Sequence, residues 1–211
     1  MYAQGLVAIA LCEGYAMTGD PALKDPAQQA IRYIESAQDR NGGGWRYRPH
    51  EPGDTTVTGW QLMALKSAEM AGLKVNRSVI YAAQHFLDTV ASEDGDQYGY
   101  QTPEPRRSTT AIGLLCRMYG GWVRSHPALM KGVSHLDQWG PSAIDIYYNY
   151  YASQVLRHWG GSEWKRWNDA LREALIASQA YEGHEAGSWY FDDEHSRVGG
   201  RLYTTAMAIM I

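Results

Sequence analysis

Residues 38–72 read QDRNGGGWRYRPHEPGDTTVTGWQLMALKSAEMAG, one whole structural unit made of a helix end, an aromatic loop and a capped second helix. The helix that leads into it carries apolar residues at Ala27, Ala30, Ile31, Ile34 and Ala37, the spacing of one buried stripe, over 26–38. It stops at Gly42-Gly43-Gly44, where the missing Cβ atoms remove the penalty for positive φ and the chain can reverse. Trp45 and Tyr47 then fold back over the junction, and Asp54 or Thr55 caps the next helix. That helix, over 58–71, is apolar on most of its circumference (Trp60, Leu62, Met63, Leu65, Ala68, Met70), which suits an element covered on several sides.

The same pairing recurs outward along the chain. The near-continuous apolar helices superpose when anchored on Leu11, Leu65, Leu115, Leu156 and Met210, a period of roughly 40 to 55 residues that fits one helical hairpin plus a loop. TTAIGLL at 109–115 against TTAMAIM at 204–210 is the clearest pair, and Gly19, Gly72, Gly120 and Gly160 end four of these helices. Between them lie one-sided helices over 26–38, 79–90 and 164–179, with a weaker one over 127–138. Alternation of fully apolar with one-sided helices predicts an inner and an outer layer. About nine helices are expected, inner first and inner last.

Composition narrows the function. A chain of 211 residues, 45% hydrophobic and 20% charged, is long enough for one domain with a sizeable core. Its net charge of −4 and pI near 6.0 leave no basic footprint for nucleic acid or an anionic membrane. No apolar run reaches the length of a transmembrane helix, so a soluble protein is expected. The start, AQGLVAIALCEGYAMTG after Met1-Tyr2, has no basic leader and reads as a helix already inside a domain, without a signal peptide; the end stops in mid-helix. Both ends are read as those of a segment from a longer repeat array. Two cysteines, Cys12 and Cys116, are too few for a disulfide framework or a zinc cage, although one bridge stays open. Fifteen Tyr and 8 Trp against 2 Phe give most rings a polar handle.

Tyr33-Ile34-x3-Gln38-x4-Gly43-x-Trp45 resembles the aromatic-Leu-x3-Gln-x(2 to 5)-Gly-x-Trp motif of squalene-hopene cyclases and their relatives. Gln179 with Gly187-Ser188-Trp189 repeats it more loosely, and Phe86-Leu87-x3-Ala91 with Gly95 and Tyr98 is a degenerate copy. The resemblance to terpene-cyclase and protein-prenyltransferase repeats covers nearly the whole chain. It implies an all-α fold, an α/α toroid whose inner and outer helices ring a cavity, with 1–211 as a single partial domain of about four and a half hairpins. In that family the Gln and Trp are structural, which implies a packing role for Trp45 and Trp189.

The family's catalytic acid is the middle Asp of Asp-x-Asp-Asp-Thr at the start of an inner helix. Here the stretch is Asp54-Thr55-Thr56-Val57-Thr58, so Thr56 stands at the proton donor's place, and a hydroxyl is too weak an acid to protonate an alkene. Asp54 is the one weak catalytic candidate. Asp54, Glu104 and Asp145 all precede their anchors by the same distance; such a set either caps helix N-termini, worth about 0.3–1 kcal/mol each, or forms a cation-binding ring. Asp192-Asp193-Glu194-His195-Ser196 resembles half of a magnesium-diphosphate motif but reads as a solvated acidic loop between glycines. Neither the cysteines nor the seven histidines show metal-ligand spacing, and no cofactor is expected.

What remains is an aromatic inner lining: Trp60, Tyr147, Tyr151 and Tyr203 as ligand-binding candidates, with Tyr148 and Tyr150 beside them. The reading is therefore a repeat domain of this type without the cyclase acid, binding an apolar, isoprenoid-like ligand or a protein partner. The alternative is a terpene-cyclase-like isomerase whose acid lies outside this segment.

Overall fold

Aspartate and asparagine side chains start most of the helices. The computed structural model describes residues 1–211 and is all-helical, with nine α-helices and no sheet. The helices are α1 (Tyr2–Thr18), α2 (Pro21–Ser36), α3 (Thr55–Met70), α4 (Arg77–Thr89), α5 (Arg107–Tyr119), α6 (Pro127–Trp139), α7 (Ile146–Trp159), α8 (Gly161–Ser178) and α9 (Glu194–Ile209). Asp20, Asp54, Asn76, Asp145 and Asp193 each accept a hydrogen bond from a backbone N–H in the first turn of α2, α3, α4, α7 and α9.

Several boundaries differ from the sequence reading for identifiable reasons. α2 begins five residues earlier than Pro26, because Asp20 caps it and Pro21 supplies a preset first φ; Pro26 sits inside the helix. α3 starts at Thr55, directly after its Asp54 cap. The expected acidic loop at 192–196 is the start of α9: Asp193 is its N-cap and Glu194 its first residue, and the helix breaks at Gly200 (φ 65°). Of the three glycines after α2, only Gly43 has positive φ (80°). Gly44 is needed for space, since a Cβ there would lie 2.9 Å from the Cα of Gly53 and from the Phe86 ring.

The chain divides into two compact units, 1–123 and 124–211. In the first, α1, α3 and α5 pack side by side as one row, α2 rests on α1 and α3, and α4 rests on α3 and α5. α3, the middle of the row, is buried around its whole girth from Val57 to Leu65, whereas α2 and α4 bury single stripes such as Ala27, Ile31 and Ile34. Gly5 lets α1 approach α3 closely: a Cβ there would meet the Gln61 amide at 2.9 Å and the Trp60 Cβ at 3.1 Å. In the second unit α7 is central and packs on α6, α8 and α9, while α6 and α8 also touch. α1, read as an apolar inner helix, buries only Gly5, Ala8 and Cys12 and leaves Leu6, Val7 and Met17 exposed. No helix is long and apolar enough to cross a membrane.

Candidate functional site

The loops that lead into α3, α5, α7 and α9 are held by the same small device. The backbone N–H of Trp45 donates to Thr58 Oγ1 (3.0 Å), that of Tyr98 to Thr110 Oγ1 (3.1 Å) and that of Trp189 to Thr205 Oγ1 (3.1 Å). The hydroxyls return to the carbonyl of the same aromatic residue, reinforced by Thr109 on Tyr98 (2.6 Å) and Thr204 on Trp189 (2.5 Å). Before α7 an asparagine does the same work: Asn149 Oδ1 accepts from Ser142 N and its Nδ2 donates to Ser142 O, both 2.8 Å. One side chain a turn into the helix therefore satisfies the backbone N–H of the loop residue, and the carbonyls of Trp45 and Tyr98 also accept from Asp54 N (2.9 Å) and Arg106 N (3.1 Å).

The aromatic side chains close the loops. Trp45 is fully buried, its indole N–H donating to Ile34 O (2.8 Å), and Trp189 makes the corresponding bond to Leu175 O (2.7 Å) while half-buried. Gln38 Nε2 donates to Gly43 O (2.7 Å) and also to Val79 O (2.8 Å), so it ties its loop to the neighbouring hairpin; Gln179 Nε2 donates to Gly187 O (3.0 Å). In the degenerate copy Tyr98 takes the buried place of Trp45, and its hydroxyl, in place of a glutamine amide, donates to the loop carbonyl Gly95 O (3.0 Å).

These grips give a register that hydropathy did not. Thr58, Thr110 and Asn149 each lie one helical turn after the N-cap, bonding back to Asp54, Arg106 and Asp145 carbonyls. The counterpart of Asp54 in α5 is thus Arg106, two residues beyond Glu104, which is exposed in the loop. The expected Asp54/Glu104/Asp145 set fails at its middle member. A helix buried on all sides has no stripe, so a two-residue slip leaves its apolar pattern intact.

Asp54 itself is fully buried. Its Oδ1 accepts from Val57 N (2.8 Å) and from Thr56 Oγ1 (2.7 Å), while Oδ2 has no hydrogen-bond partner and lies 4.0 Å from Arg46 Nε. Tyr100, hydroxyl to hydroxyl with Tyr47 (3.2 Å), lies next to this carboxylate; burial first, then that hydrogen bond, push the Tyr100 phenol up from its ordinary value. Asp145 is also raised above the ordinary carboxyl range, by burial and then by the nearby Asp193 charge, against the bond from Tyr148 N.

The aromatic candidates fall in two places. Trp60 is buried on α3 in the first unit. In the second, Tyr147, Tyr148, Tyr150 and Tyr151, two pairs on either side of Asn149, are all buried on α7. Tyr151 meets both Tyr147 and Tyr150 edge-on at 5.1 Å, Tyr148 meets Trp167 at 5.7 Å, and Tyr147 lies 5.5 Å from the His195 ring of α9. Tyr203 is half-buried in α9 beyond the Gly200 break. Both cysteines are buried free thiols, pushed up to about 11 (Cys12) and about 12 (Cys116) chiefly by burial, so neither is a thiolate nucleophile near neutrality.

Two features escaped the sequence reading. Arg117, read only as part of an apolar helix, is buried with its guanidinium held by the Tyr98 hydroxyl (3.1 Å), Gln84 O (3.0 Å) and the Asp88 carboxylate, above the Trp122 ring at 5.0 Å. A run of Trp, Leu and Ile on α8 lines an apolar pocket with Trp189. Partial alternation marks such a face only as packing, which is why no sequence signal separates pocket from core. No family model matches the chain, and no curated protein matches it.

Proposed function

We propose that the chain is a helical-hairpin repeat domain of the squalene-cyclase/prenyltransferase type, with toroid-type hairpins, that binds an elongated apolar, isoprenoid-like ligand without protonating it. The observation that carries this reading is the Thr56–Asp54 pair. At the place of the family's proton donor, Thr56 Oγ1 is spent on Asp54 Oδ1 at 2.7 Å, and the same oxygen caps Val57 N. The acid position serves helix initiation instead of proton transfer. The buried tyrosines of α7 support the ligand half, because their edge-on rings offer carbon surface.

One observation favours the isomerase alternative: Asp54 Oδ2 is buried and has no hydrogen-bond partner. A single experiment separates the readings. The purified chain is incubated with squalene and the extract analysed by gas chromatography and mass spectrometry. Unchanged squalene retained by the protein is the expected result. A cyclised product that disappears in Asp54→Asn overturns it in favour of the isomerase. Neither product nor retention moves the assignment to a protein-binding role through the same aromatic surface.

A further inference from the structure

We infer that the first unit carries a docking groove for an acidic, extended peptide segment of a partner protein, running from the loop between α3 and α4 to the end of α5. Two concavities make it, one of about 510 Å³ beside Leu73, Lys74 and Val75 and one of about 230 Å³ beside Ile80, Tyr81 and Tyr119. Glu69 and Arg77 line both, so the two form one continuous depression. Its frame is fixed in advance. The Gln28 side chain of α2 bonds both backbone groups of Lys74 (2.9 Å to N, 2.8 Å to O), and Glu35 accepts from Asn76 N (2.7 Å). A loop held in this way has little freedom left to lose when a segment settles on it.

Charge selects the sign of the occupant. Lys66, Lys74 and Arg77 stand in the lining against the single carboxylate of Glu69, and Lys66 takes that carboxylate at 3.4 Å. Lys74 and Arg77 are exposed and enter no ion pair. In a chain of net charge −4, two such cations in one groove complement carboxylates and repel a basic segment. The main chain selects a peptide over a small anion. The Val75 N–H and C=O make no hydrogen bond within the chain, so an extended segment gains main-chain bonds there while its carboxylates meet Lys74 and Arg77. At the other end Tyr81, 67% exposed, and half-buried Tyr119 offer ring surface to one apolar side chain of the segment. The inference does not depend on the isoprenoid reading, which concerns other residues.

The full chain is titrated into a fluorescein-labelled hexapeptide of alternating glutamate and leucine, read by fluorescence anisotropy, with the lysine–leucine hexapeptide and citrate as comparisons. Saturable binding with Kd on the order of 100 μM at low salt is expected, weakening as salt is added. The double variant Lys74→Glu/Arg77→Glu, at two exposed positions, weakens it about tenfold or more while circular dichroism stays as in the parent. Lys131→Glu, at an exposed lysine of α6 in the other unit, binds as the parent does. The proposal is overturned by the lysine–leucine peptide binding as tightly, by parent-like binding in the folded double variant, or by an equal loss in Lys131→Glu. Citrate competing with the same affinity as the peptide, or no saturation up to about 1 mM protein, overturns it as well.

Discussion

Trp45 shows how one side chain connects three levels of the structure. Its ring fills the space under a loop, its indole N–H closes the last turn of α2, and its backbone is gripped by α3. Replacing Trp45 by Ala removes a fully buried ring and leaves Ile34 O without that donor, a loss of about 3–5 kcal/mol. Chemical denaturation measures it directly, and an unchanged midpoint would refute the structural role. Cys12 and Cys116 make a pH prediction. In the unfolded chain each thiol titrates near 9.0, whereas burial raises the folded values to about 11 and about 12. Between these limits the unfolded state has released protons that the native state still holds. Stability is therefore unaffected by the thiols below pH 9.0 and falls as pH rises from 9.0 towards 11–12. A Cys12→Ala/Cys116→Ala double variant should show a shallower alkaline loss in urea titrations, compared after normalising for its different stability at neutral pH.

At the scale of elements, the helix starts are where chemistry and folding compete for the same carboxylates. Asp145 caps α7 through Tyr148 N at 2.8 Å, yet burial and Asp193 raise it above 3.8. The native state then binds the Asp145 proton more tightly than the unfolded one, so its ionisation costs stability as pH rises from the ordinary carboxyl value through the raised one. Asp145→Asn keeps an acceptor for Tyr148 N and removes the charge, so at neutral pH its Tm should equal or exceed that of the parent. Asp145→Ala loses the cap and about 1 kcal/mol. A Tm for Asp145→Asn as low as that of Asp145→Ala would show that the charge, not the acceptor, starts α7. The Thr and Asn grips one turn further on are a second element-level device, and they explain why four loops of different sequence meet their helices with the same kind of bond.

For the molecule as a whole, the division at Val123 has a measurable consequence. Residues 1–123 hold their own core, with α3 covered by α1, α2, α4 and α5. The connection to α6 runs through exposed Gly121 (φ 104°) and Val123, 64% exposed. Limited proteolysis should cut first in this stretch and release a 1–123 fragment that keeps helical circular dichroism and a cooperative melt, as expected of a unit with its own core. Cleavage beginning inside α3 or α4 would contradict it.

The amino-acid order by itself determined the helices, their alternation and the Gln38/Trp45 loop, because these rest on local rules: apolar spacing, glycine stops and carboxylate caps. Only the tertiary structure decided the register of α5, since a helix buried all round reads the same after a slip of two residues and Arg106 and Glu104 are distinguished only by the Thr110 grip. It alone showed that Arg117 is a buried, fully held cation and that 192–196 begins a helix, because the partners lie far along the chain in one case and beyond a single capping residue in the other. The pocket on α8 belongs to the same class. Whether an apolar face is filled by a neighbour or left open to a ligand depends on what the rest of the chain places opposite it, and no local pattern records that.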